Sequence, residues 1–199
     1  MTHPYIAPIV EGHGEVQSVR GLLRRIVSEF DPRLVPVVNP PIRVKAGSFL
    51  KDAAYFDKHV ALACAKASEY GGFVLILLDC DDDCPARLGP ELSRKAREVR
   101  SDVPVVVVLA HREYETWFVT AAESLGGRRG LPVDLKRPDD PEAIRDAKGW
   151  LGDRMPSGYD PVVDQPSFTE MMDFEQASGN ASFRRLLRVI RAQLVGNTL

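Results

Sequence analysis

Apolar residues run along this chain in two rhythms: unbroken stretches of strand length, and sets spaced three and four apart. The unbroken stretches are Tyr5 to Val10 (YIAPIV), Phe73 to Leu78 (FVLILL) and Val103 to Ala110 (VPVVVVLA). A strand apolar on both sides of its pleat has both faces covered, the pattern of a parallel sheet between helices. Pro8 removes one ladder donor from the first of them. Leu34 to Val38 and Ile42 to Val44 flank Pro40-Pro41 and predict a further strand, interrupted or bent at the prolines. Helical spacing fills the intervals. Glu15 opens one helix after the Gly12 and Gly14 turn, with Val16, Val19, Leu22, Leu23, Ile26, Val27 and Phe30 inward. Ser48 is the expected N-cap of a second, with Phe49, Leu50, Ala53, Phe56, Val60, Cys64 and Ala67 inward. Cys84 to Gly89 reads as a loop, Pro90 to Arg100 as a basic helix and Thr116 to Leu125 as a helix packed on the sheet. The sum is an α/β fold, Rossmann-like, with a mostly parallel four-stranded sheet flanked by helices.

From Gly126 the texture changes to glycine, proline and polar residues, which divides the chain into an α/β core over 1–125 and a loop-rich and helical extension over 126–199 packed on it as one compact domain. Asp140-Pro141-Glu142 is a good helix start, predicting a helix through Ala147 and Leu151. Pro156 to Pro166 is irregular. Ser182 is the expected cap of a last helix, Phe183 to Leu194, whose Arg184, Arg185, Arg188 and Arg191 lie on a face without acids.

Composition changes this picture little: 199 residues, 44% hydrophobic and 27% charged, with net charge −2, describe an ordinary globular chain and exclude a general polycation. Any nucleic-acid contact must come from a local patch. Cys80 and Cys84 are spaced unlike a zinc knuckle. No apolar run approaches the ~18 residues of a membrane span and no leader pattern is evident, so a cytoplasmic protein without membrane contact is expected.

The chemistry lies where apolar runs meet acids. In Phe73 to Asp83 (FVLILLDCDDD), Asp79 and Asp81 are two apart, and in extended chain they would point the same way. At about 4 Å and an effective dielectric near 20 they would repel by roughly 4 kcal/mol, which calls for a cation or a proton. A hard divalent ion, Mg2+ or Mn2+, suits an all-oxygen set. Glu11 and Glu15 follow the first strand, and Glu113 and Glu115 the last. Acids from three strand exits on one sheet edge suggest one or two metal ions placed for phosphodiester chemistry. Glu15 has an alternative, as a helix N-terminal charge. Arg20, Arg24 and Arg25 are either solvated surface or phosphate contacts. Lys45 and Lys51, near the second helix start, are candidates for touching an anionic substrate.

Val10-Glu11-Gly12 with Glu15, followed by an apolar strand ending in Asp79-x-Asp81, resembles the Toprim domain of topoisomerases, primases and OLD-family nucleases. The nearest resemblance is to a Toprim-like bacterial family of about this size, domain of unknown function 4276, with a similar E-x-E after the next strand and a stretch like Tyr159-Asp160-Pro161 to Phe168. The resemblance implies metal binding by Glu11, Glu15, Asp79, Asp81 and Glu115, with Glu11 also serving acid/base chemistry. Glu113 departs from the serine or threonine of the nuclease relatives. Those relatives use a later lysine near the scissile phosphate, for which Lys148 is the candidate, with Lys136 behind it. The implied activity is Mg2+- or Mn2+-dependent hydrolysis of DNA or RNA, with Arg184, Arg188, Arg191 and Lys45 as nucleic-acid contacts. The alternative is a non-catalytic or conditionally active subunit working with a separate ATPase partner, since no G-x4-G-K-S/T motif is present. Receiver-like and dehalogenase-like phosphoryl-transfer sites fit the order of acids poorly.

Overall fold

The Phe73–Leu78 run forms the middle of an open parallel sheet, inside strand β4 (Phe73–Asp79). A computed structural model of the chain describes residues 3–196; residues 1–2 and 197–199, the outer ends of the expected 1–125 and 126–199 regions, lie outside the described residues. Strand β1 (Tyr5–Val10) pairs with β4 on one side, and β5 (Val105–Ala110) pairs with it on the other, all parallel. Among the described residues the sheet has five strands where four were expected. Around Asn39, Pro40 and Pro41 the second strand divides into β2 (Val37–Val38) and β3 (Ile42–Arg43), both parallel to β1. Proline has no N–H to give a ladder, so pairing lapses there and resumes after it.

The pleat sorts the strands into two cores. Ile6, Val10, Phe73, Leu75, Leu77, Val108 and Ala110 face one side, against α1 (His13–Phe30), α7 (Asp164–Met171) and α9 (Ala181–Gly196). Tyr5, Ala7, Ile9, Val74, Ile76, Leu78, Val107 and Leu109 face the other, against α3 (Ala53–Glu69) and α4 (Pro85–Val99). All six apolar residues of β4 are buried, each withdrawal contributing about 1.5–3 kcal/mol. By this parity Asp79 faces the α1 and α7 side.

Several local expectations are corrected. The helix expected from Ser48 is two: α2 (Ala46–Lys51) ends at Asp52, whose side chain then caps α3 by accepting from Tyr55 N–H at 3.1 Å. Helix α1 begins at His13, not Glu15. Helix α4 begins at Pro85, inside the expected loop, because proline suits a first helical position. The helix expected from Asp140 is a single 3-10 turn over Pro141–Ala143, and α6 (Ala147–Gly152) starts afresh under an Asp146 cap. The irregular stretch includes the start of α7. Asn180, not Ser182, caps α9: its Oδ1 accepts from Ser182 and Phe183 N–H, leaving Ser182 Oγ to accept from Trp117 Nε1 at 2.8 Å.

Helix α9 packs against β5, along which the Pro104 carbonyl just before the strand and the Ala110 carbonyl at its end turn inward, to Val74 of β4 and to Cys80 just after it. The Val107 carbonyl therefore faces outward, and Arg185 Nε donates to it at 3.3 Å. Among the described residues no helix is long and apolar enough to cross a membrane.

Candidate functional site

Every strand of the sheet runs the same way, so the exits of β1, β4 and β5 share one edge, and a cleft of about 420 Å³ opens there. Glu11, Gly12, His13, Gly14, Glu15, Asp79, Asp81 and Glu113 line it from the sheet side, and Lys148, Pro161, Val162 and Gln165 from the extension.

The β1 exit supplies two acids. Glu11 follows the last residue of β1, and its carboxylate accepts a backbone hydrogen bond from Ala46 at the start of α2. Burial, then the nearby Asp81 and Glu15, push its carboxyl up. Glu15 stands in the first turn of α1, almost wholly buried, its carboxylate folded back so closely over Gly12 that a Cβ there would collide with it. The helix N-terminus favours that charge, so the helix-stabilising reading and a place in the cleft hold together.

At the β4 exit, the expected convergence of Asp79 and Asp81 by strand geometry fails. The strand ends at Asp79, and Asp81 has a left-handed backbone (φ 46°) in a turn closed by Asp83 N–H to Cys80 O. Asp81 reaches the cleft by this turn, pinned by its N–H to Arg112 O at 3.0 Å, and Arg112 is itself left-handed (φ 59°). Aspartate tolerates that conformation; arginine does so at a cost of order 1–3 kcal/mol, with its N–H on Cys80 Sγ and its guanidinium on Asp82 as compensation. Asp79 Oδ1 accepts Tyr114 N–H at 2.8 Å. Its carboxyl lies well above the usual range, first through burial and then through Glu115 and Glu15, with Lys148 opposing.

The protein places a cation of its own among the acids. Lys148 Nζ lies 3.1 Å from Glu113 Oε1, 3.3 Å from Glu115 Oε2 and 3.8 Å from Asp79 Oδ2. Burial pulls its ammonium down, but Glu115, Asp79 and Glu113 more than reverse that and raise it. Glu113 also places it: its Oε2 accepts Ala147 N–H at 2.9 Å and Lys148 N–H at 3.2 Å, an anion on the first turn of α6. Glu115 has no exposed surface and accepts the Tyr159 hydroxyl at 3.0 Å. Burial raises its carboxyl, Lys148 draws it back, and Glu15 opposes Lys148.

Other expected residues lie elsewhere. Lys136 pairs with Glu123, away from the cleft. Lys45 precedes α2 with its side chain exposed, next to the Ala46 amide that Glu11 uses. Arg184 donates to the carbonyls of Ser178 and Gly179, Arg188 is exposed, and Arg191 lies over the Phe30 ring at the far end of α1. A helix of 18 residues spans about 27 Å, so Arg191 is not a cleft residue.

The sequence reading missed Gln165, Tyr114 and the role of Tyr159. The apolar residues Phe168 and Met172 with Asp160 and Asp164 four apart were the available signal for α7; Asp164 Oδ2 accepts Asp160 N–H at 2.9 Å and fastens the loop bearing Tyr159 to it. Arg129 holds the other oxygen of Asp164 at 2.8 Å.

A family model described as Domain of unknown function (DUF4276) matches residues 10–191. No curated protein and no solved structure matches the chain.

Proposed function

The chain belongs to the DUF4276 family, whose description assigns no activity, and from its cleft we propose a divalent-metal-dependent phosphodiesterase of Toprim type, hydrolysing nucleic acid. One observation carries the reading: Glu11, Glu15, Asp79, Asp81, Glu113 and Glu115 gather at one edge of a parallel sheet with the ammonium of Lys148 among them. That excess of negative charge, with Glu15 and Glu115 buried, favours a further cation. The donor set is all oxygen and mostly carboxylate, which fits Mg2+ or Mn2+.

Glu11, Glu15, Asp79 and Asp81 would hold the ion. Among the described residues no three acids already surround one point as ligands, and Lys148 occupies the space among Asp79, Glu113 and Glu115. When bound, such an ion polarises a phosphoryl oxygen and makes water more acidic. Glu11, at the β1 exit beside Asp81 and Glu15, would serve as the base that takes a proton from the attacking water. Lys148 reduces the negative charge of the inner wall, allowing a phosphodiester to approach it. Glu115, closed off from solvent, fixes Lys148 through one oxygen while Tyr159 fixes Glu115 through the other.

The commitment of Lys148 to three carboxylates favours one second reading, a conditionally active subunit whose cleft rearranges on contact with a separate ATPase. Assay of the purified chain on single-stranded, duplex and supercoiled DNA and on RNA, with Mg2+, Mn2+ or chelator, decides between them. Cleavage abolished by chelator and by Asp79→Asn supports the first reading. Mn2+ binding without cleavage supports the second, and cleavage indifferent to chelator overturns the metal in both.

A further inference from the structure

Gln165 stands in the first turn of α7 with no exposed surface, and neither its amide oxygen nor its amide nitrogen has a hydrogen-bond partner. Amides are rarely left so in native proteins, because both groups lose water and gain nothing. This one lines the acidic cleft. Its place is kept open from the opposite wall: a Cβ on Gly14 would collide with the Gln165 amide and come within 2.7 Å of the Pro161 carbonyl. The two glycines of Glu11-Gly12-His13-Gly14-Glu15 thus give clearance to two polar side chains, Gly12 to Glu15 and Gly14 to Gln165.

An anionic ester entering the cleft needs donors as well as a cation. Ionised carboxylates only accept hydrogen bonds. The Lys148 ammonium has three N–H bonds and three carboxylates within 4 Å, and His13 stands at the exposed rim. Among the described side chains of the lining, the Gln165 amide is the buried donor that no protein group occupies, beside the backbone N–H groups of the first turn of α1. Being neutral, it is not captured by the surrounding acids as a second ammonium would be.

We infer that Gln165 is a substrate-contact residue, its amide NH2 donating to a non-bridging oxygen of a phosphate ester bound in the cleft. This rests on the phosphodiesterase reading. The test titrates Mn2+ alone, then thymidine 5′-monophosphate in saturating Mn2+, into wild type, Gln165→Met and Gln165→Glu. Loss of one good hydrogen bond should weaken ester binding about tenfold in Gln165→Met, and by more in Gln165→Glu, whose added charge also repels the anionic ester. Mn2+ affinity should stay within about twofold in Gln165→Met, and its melting temperature should equal or exceed that of wild type, because an unpartnered buried amide has been replaced by an apolar group of similar shape. Gln165→Glu keeps the shape, removes the donor and adds a repelling charge, so unchanged ester binding in it counts against the contact even if the methionine variant packs badly. Unchanged ester binding in both variants overturns the inference and leaves the phosphodiesterase reading standing, as does a wild type that binds Mn2+ but no ester. A wild type that binds neither Mn2+ nor ester overturns both.

Discussion

Lys148 sets its ammonium 3.3 Å from Glu115 Oε2, and that carboxylate is entirely withdrawn from solvent. The pair joins the extension to the β5 exit, and its removal has a direct cost. Lys148→Met leaves Glu115 buried without a counter-charge, which in a closed site costs about 3–5 kcal/mol. With the lysine side chain 36% exposed, solvent screening reduces this to about 2 kcal/mol. Urea unfolding at pH 7 should show that loss, and the gap from wild type should narrow at pH 5 as the acids protonate. Equal stability of the two proteins at pH 7 would mean that Glu115 is already protonated there.

The pH dependence of the metal-free protein has a definite sign. Burial and neighbouring acids raise Asp79, Glu115 and Glu11 above their ordinary values of 3.8, 4.5 and 4.5. The native state therefore holds more protons than the unfolded chain above about pH 4, and stability falls as pH rises through the native values, by at most about 1.4 kcal/mol per unit for each group. Asp31 and Asp102, lowered to about 2 by Arg33 and Arg100, act the other way and only below pH 4. Melting temperature should thus rise from pH 7.5 to pH 5 without metal, and saturating Mn2+ should flatten the trend. A rise with pH over that window, in chelator, would contradict the repulsion described for the cleft.

Asp79→Asn retains an oxygen for Tyr114 N–H and removes one charge from beside Glu115 and Glu15. Its metal-free stability should match or exceed wild type. Its Mn2+ affinity should fall by an order of magnitude or more, because a neutral amide is a poorer ligand for a hard cation. Asp81→Asn should behave alike in Mn2+ affinity and change stability little, since Asp81 is exposed and asparagine tolerates its left-handed backbone. Calorimetric titration beside thermal melts separates the two quantities; affinities unchanged in both variants would remove these acids from the metal site.

Gly14→Ala tests the clearance at the cleft wall. Alanine is ordinarily better than glycine inside a helix by about 0.8–1 kcal/mol. Here the Pro161 carbonyl is backbone and cannot swing away, so the change should instead destabilise by about 1–3 kcal/mol. Gly47, with nothing within 4 Å of an added Cβ, is the control: Gly47→Ala should be neutral or mildly stabilising. The measurement is the urea midpoint of each variant.

The central strand and its acids were legible in the sequence because burial on both faces leaves a continuous apolar run, and because a parallel sheet brings its exits to one edge. Glu11, Asp79 and Asp81 reach that edge for this reason, although Asp81 does so through a left-handed turn that strand periodicity does not describe. Lys148 was legible only as a candidate, since its position depends on Glu113 accepting from the first turn of α6. Gln165 was hidden because its neighbours Asp164 and Pro166 read as loop, and its significance lies in what it does not bond, which no residue pattern records. Some helix starts were misplaced because another residue made the better cap, as Asp52, Asp146 and Asn180 do.

Arg185 on the outward carbonyl of Val107 bears on self-association as well as on packing. A sheet border with free amides and carbonyls is a template on which another chain can lay a strand. On the β5 side α9 and its guanidinium cover that border, and on the opposite side Pro40 and Pro41 divide it into two-residue pieces too short to template anything. Strand addition between copies of this chain, the first step toward fibrils, is thereby hindered at both ends of the sheet, and removing Arg185 would free the Val107 carbonyl at one of them.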